Sequence, residues 1–231
     1  KTHPLRRPAK SLIQSKLLTV CDGMGGHEAG EIASRIVATE FPTLFYLLYA
    51  KDNSRLAGDI MKDAADRVNK KEYYKLKKRG QLGMGTTLVS MFYTENRAYF
   101  LNVGDSRAYI MRNGRLKQIT KDHSFVQALI DAGAITKEEA FDHPQKNIIT
   151  MCMLTEPQIK PDVFAVEPQP GDVFLLCSDG LTDMLRDGEI ESVLNSGADL
   201  MEMAKMLVDE ANNAGGKDNI TVILAKVIKK G

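Results

Sequence analysis

The sequence predicts an α+β fold with a mainly antiparallel sheet core, and two observations carry that reading. Apolar residues first recur at helical spacing over about residues 31–78, then in β-type runs over 86–119, and finally in one more helix and strand. Asn113-Gly114 stands between two of the β-type runs and favours the tight turn of an antiparallel hairpin. The 231 residues contain no linker and no internal repeat, so 1–231 is read as a single domain.

In chain order, Leu17 to Cys21 is a short apolar run that reads as a core strand, and it ends in Asp22-Gly23-Met24-Gly25-Gly26. Those glycines permit a sharp exit and a close approach to a ligand, because no Cβ intervenes. Glu31 to Tyr49 reads as a long helix with Ile32, Ile36, Val37, Leu44, Leu47 and Leu48 on its apolar side and Pro42 as a point of kinking. A second amphipathic helix covers about 58–78. Thr86 to Tyr93, Arg97 to Val103, Arg107 to Arg112 and Leu116 to Ile119 read as an antiparallel meander. Ser124 caps a helix ending near Ala132, with Gly133 as its stop, and Thr136 opens a short helix through a capping box with Glu139. Phe141 to Pro161 is loop-rich. Val163 to Val166 and Val173 to Ser178 are strands, Ser196 to Asn213 is helical, and Ile220 to Val227 is the last strand.

Composition excludes several classes. An apolar fraction of 43% and a charged fraction of 26% are those of an ordinary globular chain. A net charge of +1 gives no footprint for nucleic acid, and the dense basic run at 75–79 reads as the solvated face of a helix. No apolar stretch is long enough for a membrane span and there is no signal-peptide pattern. Cys21, Cys152 and Cys177 lack paired or metal-type spacing, which favours a reducing compartment; cytoplasm is the expected location.

Chemistry enters with the aspartates. Asp22 follows the first strand, Asp105 sits in the turn Gly104-Asp105-Ser106, Asp179-Gly180 follows Val173 to Cys177, and Asp218 precedes the last strand. If that strand runs antiparallel to the first and to the one ending at Cys177, these carboxylates gather at one edge of the core. Two unit charges about 4 Å apart repel by roughly 4 kcal/mol even at an effective dielectric near 20, so such a cluster needs protons, basic partners or cations. Oxygen-only ligands without paired His or Cys suit Mg²⁺ or Mn²⁺. Two such ions activate a water and clamp a phosphoryl group during in-line attack.

Taken together, the motifs resemble those of the metal-dependent type 2C protein serine/threonine phosphatases, in their compact bacterial form. The matching pieces are Asp22-Gly23-Met24-Gly25-Gly26-His27, Gly83-Met84-Gly85-Thr86-Thr87, Gly104-Asp105-Ser106-Arg107, Asp122-His123-Ser124, His143-Pro144 with Asn147-Ile148-Ile149-Thr150, Ser178-Asp179-Gly180-Leu181-Thr182-Asp183, and Gly216-Lys217-Asp218-Asn219-Ile220-Thr221. The resemblance implies a central β-sandwich of two antiparallel sheets flanked by pairs of helices, with a metal centre at one end. It implies that Asp22 bridges two ions with the Gly23 carbonyl contributing, and that Asp179 and Asp218 complete the first. A weaker third ion falls to Asp105, Asp179, Asp183 and Asp122. The segment 122–161 corresponds to a flap beside the site. The implied activity is hydrolysis of phosphoserine and phosphothreonine in proteins by direct attack of water, opposite a cognate kinase, by a monomer. Met24 stands where animal-type members carry a histidine proposed to protonate the leaving group, which leaves that role to water.

The sequence departs from the family near its start. Arg6 or Arg7 supplies the expected bidentate grip on phosphate, but no acid precedes Asp22 where the family has an acidic pair. Either the second ion has lost its outer carboxylates, or a segment between about Pro8 and Lys10 is missing. Met151 likewise replaces the arginine that bacterial relatives carry after the flap threonine. The lost acids motivate an alternative reading, a catalytically weakened relative that binds a phosphoprotein or acts as a signalling module.

Overall fold

The computed structural model describes residues 17–52, 54–94 and 96–228; of His27 only the backbone is described. Among the described residues are two four-stranded antiparallel sheets stacked face to face. The first has the order β1 (Leu17–Val20), β4 (Leu88–Tyr93), β5 (Ala98–Val103), β8 (Asp162–Val166). The second has the order β10 (Val222–Lys226), β9 (Val173–Cys177), β6 (Arg107–Arg112), β7 (Arg115–Gln118). A two-residue pair, β2 (Gly23–Met24) and β3 (Gly85–Thr86), lies beside the first.

Alternation within the strands explains the stacking. Leu88, Phe92 and Leu101 pack against Phe41, Phe45, Ile60 and Met61 of the helices α1 (His27–Lys51) and α2 (Ala57–Lys78). Their sequence neighbours Val89, Met91 and Phe100 face the other way, onto Ala108, Ile110, Phe174 and Leu176 of the second sheet. The outer face of that sheet, with Tyr109 and Leu175, is covered by Leu181 of α5 (Asp179–Thr182), Ile190 of α6 (Asp187–Leu194) and Leu207 of α7 (Leu200–Asn213). The result is four layers, helices, sheet, sheet, helices. The central strands read as unbroken apolar runs because both of their faces are buried. Each fully buried Leu or Phe contributes about 1.5–3 kcal/mol relative to exposure.

Local signals hold at several points. Asn113 and Gly114 both have positive φ, 51° and 76°, and close the β6–β7 hairpin. Ser124 accepts from the Gln127 amide at the start of α3 (Phe125–Asp131), and Thr136 and Glu139 form the capping box of α4 (Lys137–Phe141). No strand or helix occurs between α4 and β8.

Two expectations are corrected. The meander is interrupted, because β5 and β6 belong to different sheets and the chain crosses between them at Gly104-Asp105-Ser106. The last strand runs antiparallel to β9, as expected, and β1 lies in the other sheet. The helix expected from Ser196 begins at Leu200, where the Asp199 carboxylate accepts from the Met201 and Glu202 amides, and α5 and α6 precede it. Gly188 inside α6 and Gly197 just beyond it masked the helical spacing of Ile190, Val193 and Leu194.

Candidate metal centre

The register places the acids at one end of the sandwich. Val222 pairs with Cys177, and Cys177 with Arg107, so Asp218, Asp179 and Asp105 stand just beyond three adjacent strand ends of the second sheet. Val20 pairs with Val89, and Leu88 with Val103, which brings Asp22, Thr87 and Gly104 to the same end of the first sheet. The crossing at Asp105 therefore brings an acid from the second sheet beside the end of the first.

Two glycines permit the close approach. A Cβ on Gly23 would collide with the Gly30 carbonyl of α1, and one on Gly180 with the Asn219 carbonyl. The Asp22 turn is thus pressed onto the first turn of α1, and the Asp179 turn onto the Asp218 loop.

Hydroxyls fix the turns. The Asp22 amide donates to Thr87 Oγ1 at 2.9 Å, and the Asp22 carbonyl accepts from the Thr86 hydroxyl and the Thr87 amide, each at 2.8 Å. Thr87 Oγ1 lies 2.7 Å from Ser106 Oγ, next to Asp105. Ser178 Oγ donates to the Asn219 carbonyl at 3.2 Å and accepts from the Thr221 amide at 3.0 Å, stapling the Asp179 turn to the Asp218 loop. Sequence reasoning gave Thr87, Ser106 and Ser178 no role. Their only signal was position: Ser106 and Ser178 flank an aspartate, and Thr87 ends the motif Gly83-Met84-Gly85-Thr86-Thr87.

The acids strain one another electrostatically. Burial pushes Asp22 up to about 8, aided by hydrogen bonding with Asp179 and by the charges of Asp179, Asp218 and Asp105. Asp105, only 8% exposed, is likewise pushed up to about 8 by burial and by the charges of Asp179 and Asp122. Asp179 is raised by burial and by the charges of Asp183 and Asp218, against a hydrogen bond with Asp22 that lowers it. Asp179 Oδ1 is buried without a hydrogen-bond partner. Deprotonated acids held this close call for a cation, and an orphaned carboxylate oxygen is an open ligand position. Among the described residues no three acidic, His or Cys side chains already surround a single point, so the acids are gathered but not closed.

The remaining expected ligands differ in what they touch. Asp218 is exposed, and its Oδ1 accepts from the Asn219 amide at 2.7 Å. Asp183 pairs with Lys146, in the segment between α4 and β8, at 3.3 Å. Asp122 is engaged by Arg107 Nε and Nη2 at 2.8 and 2.7 Å and by Gln118 at 2.8 Å. An ion there would share the carboxylate with Arg107 and Gln118. Arg6 and Arg7, with the Pro8–Lys10 stretch, lie outside the described residues. Cys21 and Cys177 are pushed up to about 12 by burial, as inert thiols should be.

The sequence and the fold have known counterparts. The family model for protein phosphatase 2C matches residues 9–224. This chain belongs to the protein phosphatase 2C family. It is 40% identical to the serine/threonine phosphatase Stp of Listeria welshimeri over 223 residues, covering 93% of this chain and 86% of that protein. To the protein phosphatase PhpP of Streptococcus pneumoniae it is 38% identical, over 97% of this chain and 89% of that protein. Among solved structures, the Mycobacterium tuberculosis serine/threonine phosphatase PstP/Ppp superposes with a TM-score of 0.83 at 37% identity, over 93% of this chain and 89% of that one. A second structure, the PstP catalytic domain in complex with two manganese ions, gives 0.79 at 37% identity over 93% and 88%. The four layers found here are the family's fold.

Proposed function

We propose that this chain removes phosphate from phosphoserine and phosphothreonine in proteins, with Asp22, Asp179 and Asp218 as the acids that hold a pair of divalent cations. The observation that carries the reading is the gathering of mutually strained aspartates, one with an orphaned buried oxygen, at one end of a protein phosphatase 2C fold. When bound, the ions would supply Lewis-acid stabilisation of the phosphoryl oxygens and a water acidic enough to attack in line.

The chain's own residues supply the frame. Asp22, locked by Thr86 and Thr87, presents its carboxylate from a rigid strand end, and the Gly23 carbonyl is the further ligand we assign from the family pattern. Asp179 and Asp218 stand on turns that Ser178 staples together and would complete the donor set. Asp105, Asp179 and Asp183, with Asp122, are the positions for a weaker third ion. Arg6 or Arg7 grips the substrate phosphate, and with Met24 in place of a histidine the leaving oxygen takes its proton from solvent. An all-oxygen donor set accepts Mg²⁺ and Mn²⁺ alike. Residues 1–231 form one domain with a flap at 122–161, acting as a cytoplasmic monomer against a serine/threonine kinase. No described helix is long and apolar enough to cross a membrane.

A second reading, phosphoprotein binding without turnover, draws on the absence of any acid before Asp22. Phosphate release from a phosphothreonine peptide, compared with a free metabolite phosphate, tests the proposal. Faster release from the peptide is expected; tight metal-free peptide binding without release would favour the second reading.

A further inference from the structure

We infer that His123 is a positioning residue for the metal centre, with Asn102 beside it: together they hold both polar groups of Gly104 and so fix the peptide from which Asp105 is presented. The inference rests on the phosphatase reading above and adds to it how the acid of the weaker ion is aimed.

Asp105 needs such a frame. It is buried, and among the described residues no other side chain hydrogen-bonds its carboxylate. Its direction is therefore set by the backbone on either side. On one side Ser106 Oγ meets Thr87 Oγ1 at 2.7 Å. On the other stands Gly104, with φ 109°, where a Cβ would collide with Thr87. The chain thus crosses between the sheets at a residue that has no side chain to anchor it.

His123 anchors that residue twice. Its backbone amide donates to the Gly104 carbonyl at 2.9 Å, and its ring Nδ1 accepts from the Gly104 amide at 3.1 Å. Because Nδ1 accepts, the ring proton sits on Nε2, which faces Asp162 Oδ2 at 3.2 Å. A carboxylate orients the ring and the ring orients the turn, as outer partners commonly aim metal ligands. The His123 side chain is only 12% exposed, so little water competes for Nδ1. The His123 carbonyl in turn accepts from the Thr150 amide at 2.8 Å, which holds the histidine itself.

Asn102 acts on the same carbonyl. It stands opposite Asp162 in the β5–β8 pair, and its Nδ2 donates to the Gly104 carbonyl at 3.0 Å and to the Lys121 carbonyl at 2.9 Å. Turned over, the amide would set its oxygen against two carbonyl oxygens, so the side chain has one orientation. Gly104 is left with its N–H and C=O both bonded to groups outside the turn. That matters because a ligand must be held within about 0.5 Å of its working position.

The test sets two substitutions against each other in the full chain. In His123→Asn the side-chain oxygen stands where Nδ1 was, keeping an acceptor for Gly104 and losing reach to Asp162. In His123→Gln the polar end stands where Nε2 was, keeping Asp162 and losing Gly104. In Mn²⁺ titrations by calorimetry, the weakest-bound ion should bind about 10–100-fold more weakly in His123→Gln and within about threefold of native in His123→Asn. Without metal, exchange of the Gly104 amide should rise about tenfold or more in His123→Gln and stay near native in His123→Asn. Nitrogen NMR of the native, metal-free chain at about pH 8 should show the neutral His123 ring protonated at Nε2, a reading that needs no variant. A ring protonated at Nδ1, or a His123→Asn that fails to outperform His123→Gln in either measure, would overturn the inference. Absence of phosphate release from a phosphothreonine peptide by the native enzyme would instead overturn the phosphatase reading, and amide exchange and the ring tautomer would still decide the role of His123.

Discussion

Asp22 and Thr87 hold each other from both directions: the Asp22 amide donates to the Thr87 hydroxyl at 2.9 Å, and the Thr87 amide donates to the Asp22 carbonyl at 2.8 Å. Because the same hydroxyl meets Ser106 at 2.7 Å, the Asp22 turn, the start of β4 and the Asp105 turn form one bonded unit across the two sheets.

Thr87→Val should break that unit while keeping its shape. The Asp22 amide and the buried Ser106 hydroxyl each lose a partner, which costs about 1–3 kcal/mol. For a chain of this size that lowers Tm by roughly 2–4 °C per kcal/mol in thermal denaturation. Mn²⁺ affinity, read by calorimetry, should weaken about 10–100-fold, the usual effect of losing a group that orients a ligand. Thr87→Ser keeps the hydroxyl and should restore most of both.

The acid cluster sets the pH dependence of the metal-free protein. Asp22 and Asp105 are raised from 3.8 to about 8, so between those limits the folded state binds more protons than the unfolded one. Stability should therefore fall as pH rises from about 4 to 8. Mn²⁺, which needs the carboxylates deprotonated, should raise Tm more at pH 8 than at pH 5. At one hundred times Kd the gain is about 2.7 kcal/mol. Thermal melts at the two pH values with and without Mn²⁺ check both signs.

Arg107 and Asp122 form the buried pair beside the site, with side chains 27% and 5% exposed. Arg107→Ala leaves Asp122 without its cation near Asp105 and should cost about 3 kcal/mol, the lower end for a broken buried pair. Adding Asp122→Asn should recover part of that loss. A double-mutant cycle in urea measures the coupling, and strict additivity would contradict the pairing.

Much of the centre was legible because carboxylates at Gly-flanked strand ends are a local pattern. Asp22, Asp105, Asp179 and Asp218 could each be placed from the run before or after it. What joins them was not local. That β5 and β6 lie in different sheets depends on which face of each strand finds a partner, and continuous apolar runs such as Val173 to Cys177 carry no alternation to reveal it. The engagement of Asp122 by Arg107, and the pairing of Asp183 with Lys146, are long-range outcomes of the same folding. Helix α6 escaped detection because Gly188 weakens its pattern, although the Glu189 carboxylate fixes its start by accepting from the Arg186 amide at 2.7 Å.

Arg186 tethers the flap through Asp142 and the Phe141 ring, both contacts being largely exposed. Arg186→Ala should change global stability by less than about 1 kcal/mol. Amide hydrogen exchange across 137–146 should nevertheless rise, as expected for a segment that opens locally. Unchanged exchange there would show that the tether is idle.

In the proposed function, the strand-end aspartates hold the ions at which phosphoprotein is hydrolysed. The most direct measurement is phosphate release from a phosphothreonine peptide as Mn²⁺ is titrated in, removed with chelator and restored, in the native chain and in Asp179→Asn. Release should follow the metal reversibly and fall in Asp179→Asn by at least the roughly 100-fold seen when even an outer-shell partner is lost. Metal-independent release, or native-like release from Asp179→Asn, would contradict the account.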